Sequence, residues 1–398
     1  MADGAEAGGG RTVTCGLSSL GRQQLSGLIG VRLIHNAAVN PEHEAARLYN
    51  LGVKHRRAGK LVASIDAYRQ AQRLTPEDPE LLNNLAVVLH EDGRPMEALS
   101  LLQFAVKLEP ALVAGHINLG NAMRSVGERA GAVRAYRCAL DLDAAAAAAH
   151  YNLFAALHDD EPLEAEQTLE RALALRPDHE MTRFQLAATR AWRLGQSEIA
   201  SDLPSFLCDS YAFAAAQRDD DTRLLADTFA GLALGLSLAP DAGAVVELGV
   251  RFGTSLRFLA ERVSPDPVDG FDSFEGLPSE WHELKRGSYS TRGALPDMAP
   301  NVRLHAGWFD ETLSRFDGPA LRLLHVDCDL YSSTKLALEQ LAPWLHRGTV
   351  VVFDDYLCNP QWRQDEHRAW DEAARSHGWR YRYAGFGFFS RQAVIVIS

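Results

Sequence analysis

Leu321-Arg322-Leu323-Leu324-His325-Val326-Asp327-Cys328-Asp329 and Thr349-Val350-Val351-Val352-Phe353-Asp354-Asp355 decide the reading of this chain. Each is a short apolar run closed by acidic residues. Runs of four to eight residues rich in Val and Leu read as buried strands of a parallel sheet. In open α/β sheets ligands bind at the carboxyl ends of such strands. Four carboxylates gathered at one sheet edge repel one another unless a cation sits between them. A hard divalent ion is the natural candidate.

Outward from these runs, strand and helix signals alternate after about residue 205, as in a doubly wound α/β sheet. Asp221-Thr222 is expected to open a helix running to about Leu238. Ala244 to Gly249 reads as a strand ending in Glu247 and Gly249, and Gly249-Val250-Arg251-Phe252-Gly253-Thr254-Ser255 turns into a helix from Leu256. The next strand runs into Phe271-Asp272-Ser273, and Val302 to His305 is another, followed by Gly307-Trp308. Arg380 to Phe386 and Gln392 to Ile397 read as a terminal antiparallel hairpin. An acid ending the first strand, a glycine turn, and an acid ending the second form the pattern of a dinucleotide or nucleoside site. The spacing Gly249-x-x-x-Gly253 lacks the third glycine of hydride-transfer enzymes. A cofactor without phosphate fits better, and S-adenosylmethionine is the common one.

The stretch 273–300 is long and carries Trp281, His282 and Tyr289. Long loops in compact domains are often lids, so this one is expected to close over the acceptor, with Trp281 and Tyr289 either stacking on it or anchoring the lid. His282, His305 and His325 are secondary candidates for a base, although a strand histidine such as His325 is more often a bonded core residue.

The first half repeats itself. Leu51-Gly52, Leu85-Ala86 and Leu119-Gly120 recur at a period of roughly 34 residues. Ser64, Ala98 and Ala132 keep the same phase, as do Ala71, Ala105 and Ala139, and the large Tyr68, Leu102 and Tyr136 fill another. Small residues belong where two helices cross closely, and Pro76 and Pro110 end the second helix of a pair. A fourth unit, Leu153 to Pro177, has Phe154 in place of its small residue, and an incomplete fifth, Phe184 to Gly195, is expected to cap the array. The phased pattern resembles the tetratricopeptide repeat family, which implies an α-solenoid with a concave surface for peptides or partner proteins. Asn50, Asn84, Asn118 and Asn152 fall one repeat apart. They either hydrogen-bond an extended peptide or bond neighbouring helices and hold the array together.

At 398 residues the chain exceeds one ordinary domain, and 46% hydrophobic with 23% charged residues suits a soluble globular protein. A net charge of −12 argues against nucleic acid. No stretch approaches the roughly 18 to 20 apolar residues of a membrane helix. Cys15, Cys138, Cys208, Cys328 and Cys358 show no paired spacing, which fits reduced thiols and a cytoplasmic location. The Gly- and Ala-rich start reads as a disordered tail without a secretory signal.

In the second half, VVELGVRFGTS, GFDSFEGLP, GWFDETL, HVDCDLYSSTK and GTVVVFDDY, in that order over about 240–398, resemble the macrocin O-methyltransferase family. That family comprises metal-dependent sugar O-methyltransferases, a branch of the Rossmann-like class I S-adenosylmethionine methyltransferases. By the resemblance, Glu247, Gly249 and Gly253 would face the methionine part of S-adenosylmethionine, and Thr254 and Ser255 would also bind the cofactor. Asp272 and Ser273 would hold the ribose, Gly307 and Trp308 would flank the adenine, and Asp327 would lie beside the cofactor. Asp327, Asp354 and Asp355 would be the Mg2+ ligands, with Asp329 as general base. The alternative reading of Asp329 is a helix N-cap before Tyr331. The family motif often has Glu at the place of Asp355, so reach is shortened here.

The expected organisation is a disordered or poorly ordered tail over 1–40, a repeat domain over 41–200, a linker and leading helix over 201–240, and a methyltransferase domain over 241–398. The expected activity is Mg2+-dependent methyl transfer to a hydroxyl of a sugar or natural-product-like acceptor, small molecule or glycan. The array would recruit a protein or peptide partner, and homo-oligomers are compatible with this reading. Deleting 1–200 is then expected to spare activity on a free acceptor. The competing reading is a non-catalytic interaction scaffold with a degenerate methyltransferase domain, against which stands the presence of Glu247, Asp272 and all four terminal acids.

Overall fold

Ser64 donates through Oγ to the carbonyl of Gly52 at 2.7 Å, and that contact shows how the first half is built. Helices α1 (Pro41–Arg57) and α2 (Leu61–Leu74) cross where Gly52 leaves room for the ring of Tyr68. The computed structural model describes residues 40–159, 161–199 and 202–398, so the tail expected over 1–40 lies, except for Asn40, outside the described residues. The helical pairing continues with α3 (Pro79–Glu91), α4 (Pro95–Leu108), α5 (Val113–Arg124), α6 (Arg129–Leu142), α7 (Ala147–Leu157), α8 (Pro162–Leu175) and α9 (Glu180–Arg193). Pro79, Pro95 and Pro162 occupy first-turn positions, where a missing N–H costs nothing. The small in-phase residues Ser64, Ala98, Ala132, Ala71, Ala105 and Ala139 are all fully buried.

The asparagine column is used internally. Asn84 donates to the Tyr49 hydroxyl at 2.8 Å, Asn118 to Asn83 Oδ1 at 2.9 Å and Asn152 to Asn121 Oδ1 at 2.9 Å. Only Asn50 stands exposed. The ladder binds helix to helix.

The second half follows as α10 (Ser205–Gln217), β1 (Arg223–Leu224), α11 (Thr228–Leu238), β2 (Ala244–Leu248), α12 (Thr254–Val263), β3 (Val268–Asp272), β4 (Val302–Ala306) and α13 (Phe309–Thr312). Then come β5 (Leu321–Val326), α14 (Tyr331–Leu341), β6 (Val350–Phe353), α15 (Glu366–His377), β7 (Tyr381–Gly387) and β8 (Gln392–Ile397). The strands form one sheet in the order β1-β7-β8-β6-β5-β2-β3-β4. Pairing is parallel from β4 to β6, and β8 is antiparallel to both β6 and β7. Val245, Leu323, Val350 and Val352 point to one face with α11 and α12. Val246, Leu324, Val326 and Val351 point to the other with α10, α14 and α15. The α-solenoid and the Rossmann-like sheet are therefore both present.

Two sequence expectations shift. The helix read from Asp221-Thr222 begins at Thr228, capped by Asp227, whose carboxylate accepts from Ala230 N at 2.9 Å. Thr222 is instead held in a turn by Asp219 and by the carbonyl of Tyr383, and Arg223–Leu224 pair with β7. The stretch 201–240 thus contributes a strand to the sheet and two packed helices.

The fifth unit, expected to cap the array, stacks on α8 through Arg190 and Arg193, both paired with Glu166, and its other side packs on the sheet domain. Phe184 and Trp192 of α9 lie against Phe388, and Trp192 also against Phe386, with ring centroids 5.8–6.3 Å apart. Phe154, the large residue in a small-residue phase, is buried with its ring 6.4 Å from that of Phe389. Its departure from the repeat pattern is explained by this docking. Pro41–Ser398 form one compact unit. Among the described residues no helix is long and apolar enough to cross a membrane.

Candidate active site

The sheet order places β2 between β3 and β5, so the chain reverses direction across β2 and opens a crevice at the carboxyl ends of β2 and β5. The ladder runs one residue past each strand there. Gly249 N donates to Phe271 O, Asp327 N to Leu248 O, Asp354 N to Val326 O and Gly307 N to Asp272 O, all at 2.9–3.0 Å. These residues are therefore level with one another at the sheet edge. Gly249 has φ +88, and a Cβ there would sit inside the carbonyl of Asp327, so only glycine permits β2 and β5 to close this tightly.

Above this edge lies a cavity of about 610 Å³, within the range of small-ligand sites. Gly249, Asp272, Ser273, Trp308, Asp327, Asp329 and Asp355 line it, as do Arg251, Tyr289 and Phe309. Asp272 accepts from the backbone N–H groups of Val250 (2.8 Å) and Arg251 (2.7 Å) on Oδ2 and of Phe274 (2.7 Å) on Oδ1, which fixes the glycine turn to β3. Gly253, in the left-handed region at φ +72, starts α12 and packs against Met298. Thr254 is the first residue of α12.

Glu247, expected to face the cofactor, does not line the cavity. It is fully buried, accepts from Ser255 Oγ at 3.0 Å and lies 2.9 Å from His325 Nδ1. Burial raises its carboxyl, and the imidazole opposes that rise. Glu247 and Ser255 thus brace α12 against β2 and β5 from beneath. His325 is a bonded core residue, and His305 stacks on Phe271 at 4.2 Å while bonding Asp269. His282 Nε2 lies 3.2 Å from Asp365. None of these three lines the cavity.

The four terminal acids divide otherwise than expected. Asp327, Asp329 and Asp355 each bring one oxygen within 4.8 Å of the others. Asp354 is drawn aside: its Oδ1 accepts from Thr228 Oγ1 at 3.1 Å and from Gln392 Nε2. Asp329, past the end of β5 and in the left-handed region at φ +60, brings a carboxylate oxygen close to those of Asp327 and Asp355. Leu330, not Asp329, is the N-cap of α14, and it makes no side-chain cap bond. Burial first, then mutual repulsion, holds the carboxyls of Asp327 and Asp329 well above the usual range, and Asp355 is raised too, by burial and then by the charge of Asp354. Asp355 is partly offset by Arg391, 3.2 Å away. Three carboxylate oxygens gathered in this way fit a hard divalent cation in the chemistry of their donors.

Several residues of this site carried no signal in the sequence. Glu366 is fully buried at the start of α15, accepts from Asp355 N at 3.3 Å, and leaves Oε1 without a partner. Arg391 and Gln392 reach the site from a segment with no acidic or glycine-rich pattern, and Arg251, although it lies in the glycine turn, was not singled out there. The loop 273–300 folds back on itself through Leu277 N to Ser288 O and Gly287 N to Leu277 O, both 2.9 Å. Trp281 is buried with Leu277 and Leu330 and anchors this loop, while Tyr289 faces the cavity.

Residues 246–356 match the family model of a methyltransferase domain, and residues 48–93 that of a TPR repeat. The chain thus carries a methyltransferase domain behind a TPR array. Among curated proteins it is 33% identical to the 8-demethyl-8-(2,3-dimethoxy-alpha-L-rhamnosyl)-tetracenomycin-C 4'-O-methyltransferase of Streptomyces olivaceus, over 29% of this chain and 54% of that protein. It is 40% identical to the demethyldecarbamoylnovobiocin O-methyltransferase of Streptomyces niveus over 17% of this chain and 27% of that protein. A third relative, the mycinamicin III 3''-O-methyltransferase of Micromonospora griseorubida, is 33% identical over 23% and 34%. The chain spans about half the length of the first of these relatives and less of the other two.

Proposed function

We propose that this chain is a Mg2+-dependent O-methyltransferase that moves a methyl group from S-adenosylmethionine to a hydroxyl of a sugar or natural-product-like acceptor. The observation that carries the reading is the Asp327, Asp329 and Asp355 cluster in the wall of a ligand-sized cavity at the switch point of the sheet. Similarity to three sugar- and antibiotic-modifying O-methyltransferases supports the reaction class.

Bound S-adenosylmethionine supplies an electrophilic methyl, and bound Mg2+ acidifies a coordinated hydroxyl. The chain's own residues do the rest. Asp327 and Asp355 would hold the ion, and Asp354, fixed by Thr228 and Gln392, would keep the end of β6 in place beneath it. Asp329, third in the cluster, would take the proton from the acceptor hydroxyl. Trp308 and Phe309 offer ring faces for the adenine, and Asp272 holds the glycine turn against the cofactor end of the cavity. The proposed location is the cytoplasm. The array would recruit a protein or peptide partner that carries or delivers the acceptor, the role for which a TPR surface is suited.

Calorimetry with S-adenosylmethionine, with and without Mg2+, tests this. The intact chain should bind the cofactor, and activity on sugar hydroxyl acceptors should vanish with a chelator. Asp355→Asn should abolish Mg2+ binding, whereas Asp354→Asn should only weaken it. No cofactor binding overturns the function, and chelator-indifferent activity removes the metal from it.

A further inference from the structure

Arg251 sits in the glycine turn between Gly249 and Gly253, with φ +50, and its side chain forms part of the cavity wall. The side chain is only 26% exposed. A guanidinium carries five donors and seeks acceptors. Among the described residues its enclosed Nε has no hydrogen-bond partner. The nearest paired carboxylate, Asp92, is 3.7 Å from a guanidinium nitrogen, too far for a hydrogen bond. The guanidinium also lies 4.8 Å from the centre of the Tyr289 ring.

What holds Arg251 there comes from the repeat array. Asp92 and Gly93 form the turn between α3 and α4. Gly93 has φ +80, and a Cβ on it would collide with the Arg251 guanidinium. Arg94, the next residue, lies 6.0 Å from the ring of Phe252, beside Arg251 in sequence. A turn of the second repeat is therefore shaped around a residue of the methyltransferase cavity.

Buried polar donors are almost always bonded, so the unpartnered Nε of this cavity-lining guanidinium calls for an acceptor supplied by the ligand. Its planar fork matches a carboxylate in two-point geometry. On the reading given under Proposed function, the cavity takes S-adenosylmethionine, whose single anionic group is the carboxylate of its methionine end. We propose that Arg251 binds that carboxylate, and that the Asp92–Gly93 turn of the repeat array positions Arg251 for it. The array is then a structural part of the cofactor site as well as a docking surface.

Calorimetry on the full chain with S-adenosylmethionine and with its decarboxylated analogue tests this. The unaltered protein should bind S-adenosylmethionine about tenfold more tightly than the analogue, the worth of one charge-assisted hydrogen bond at ~1.4 kcal/mol per tenfold. Arg251→Gln should lose that preference and bind both alike, with affinity for the analogue unchanged, and Arg251→Lys should recover part of it. Gly93→Ala and Asp92→Asn should each lower affinity for S-adenosylmethionine while sparing the analogue. Unaltered protein that binds neither compound rejects the methyltransferase reading itself. Binding of S-adenosylmethionine with Arg251→Gln as tight as the original overturns the role of Arg251. Full affinity in both Gly93→Ala and Asp92→Asn overturns the role of the array.

Discussion

His367 is enclosed by the rings of Phe213, Tyr356 and Trp362 at centroid distances of 4.8–5.2 Å. Burial, then the charge of Arg363, pushes its imidazole down to about 4, against weaker pulls from Asp371 and Asp209. The unfolded chain takes up that proton near 6.5 and the folded chain only near 4. This contribution to stability is therefore complete above pH 6.5 and is lost as pH falls from there toward 4. Between pH 7 and pH 5 the protein should lose about 1–2 kcal/mol through this residue. Denaturant titrations at the two pH values should show a smaller loss in His367→Phe, and equal losses in both would clear His367. At this scale the sequence disclosed the chemistry and hid the geometry. Acids at two strand ends were plain to see. That Asp355 would join Asp327 and Asp329 while Asp354 turned aside was not, because the residues that hold Asp354, Thr228 and Gln392, lie far from it in the sequence.

Repeat helices fit by exchange of volume within each pair. Gly52 faces Tyr68 and Gly120 faces Tyr136, with the rings against the glycines. The second repeat has Ala86 and Leu102 in the same two phases, a methyl gained on one side and a ring given up on the other. Gly120→Ala should gain about 1 kcal/mol of helix propensity and lose about 1–3 kcal/mol to overpacking, for a net loss. Tyr136→Leu in the same molecule should recover most of it, measured by thermal unfolding. A Gly120→Ala protein as stable as the original would show that the Tyr136 ring, whose hydroxyl bonds Asn121 at 2.8 Å, moves aside freely. Elements of this kind were legible because their signal is local and periodic. β1 was not, since its two residues are strand only by pairing with β7, about 160 residues further on.

Across the whole molecule, array and sheet share an apolar core through Phe184, Trp192, Phe386 and Phe388. Elsewhere between array and sheet domain, Arg129 lies 3.9 Å from the buried Asp227. Phe388→Ala should cost about 3–5 kcal/mol and lower the unfolding temperature of array and sheet together, followed by far-ultraviolet circular dichroism and tryptophan fluorescence. Two separate transitions in the unaltered protein would contradict a common core. Removing 1–200 would take Phe184 and Trp192 away from Phe386 and Phe388, so it does not isolate the recruiting role of the array as the sequence led one to expect. The sequence signalled this junction only through Phe154, the large residue in a small-residue phase. Residues that meet only in the folded chain leave no periodicity to read.

The docking also bears on how such a chain can change over time. Free solenoids gain and lose repeats readily, since each unit touches only its neighbours. Here Asp92 in one repeat and Trp192 beyond the last are each seated on the sheet domain, at Arg251 and at Phe386 with Phe388. Duplicating or deleting a unit between those two points would pull one seat away from the other. Copy number is therefore locked inside that span, and lengthening of the array is left to the side of the first repeat.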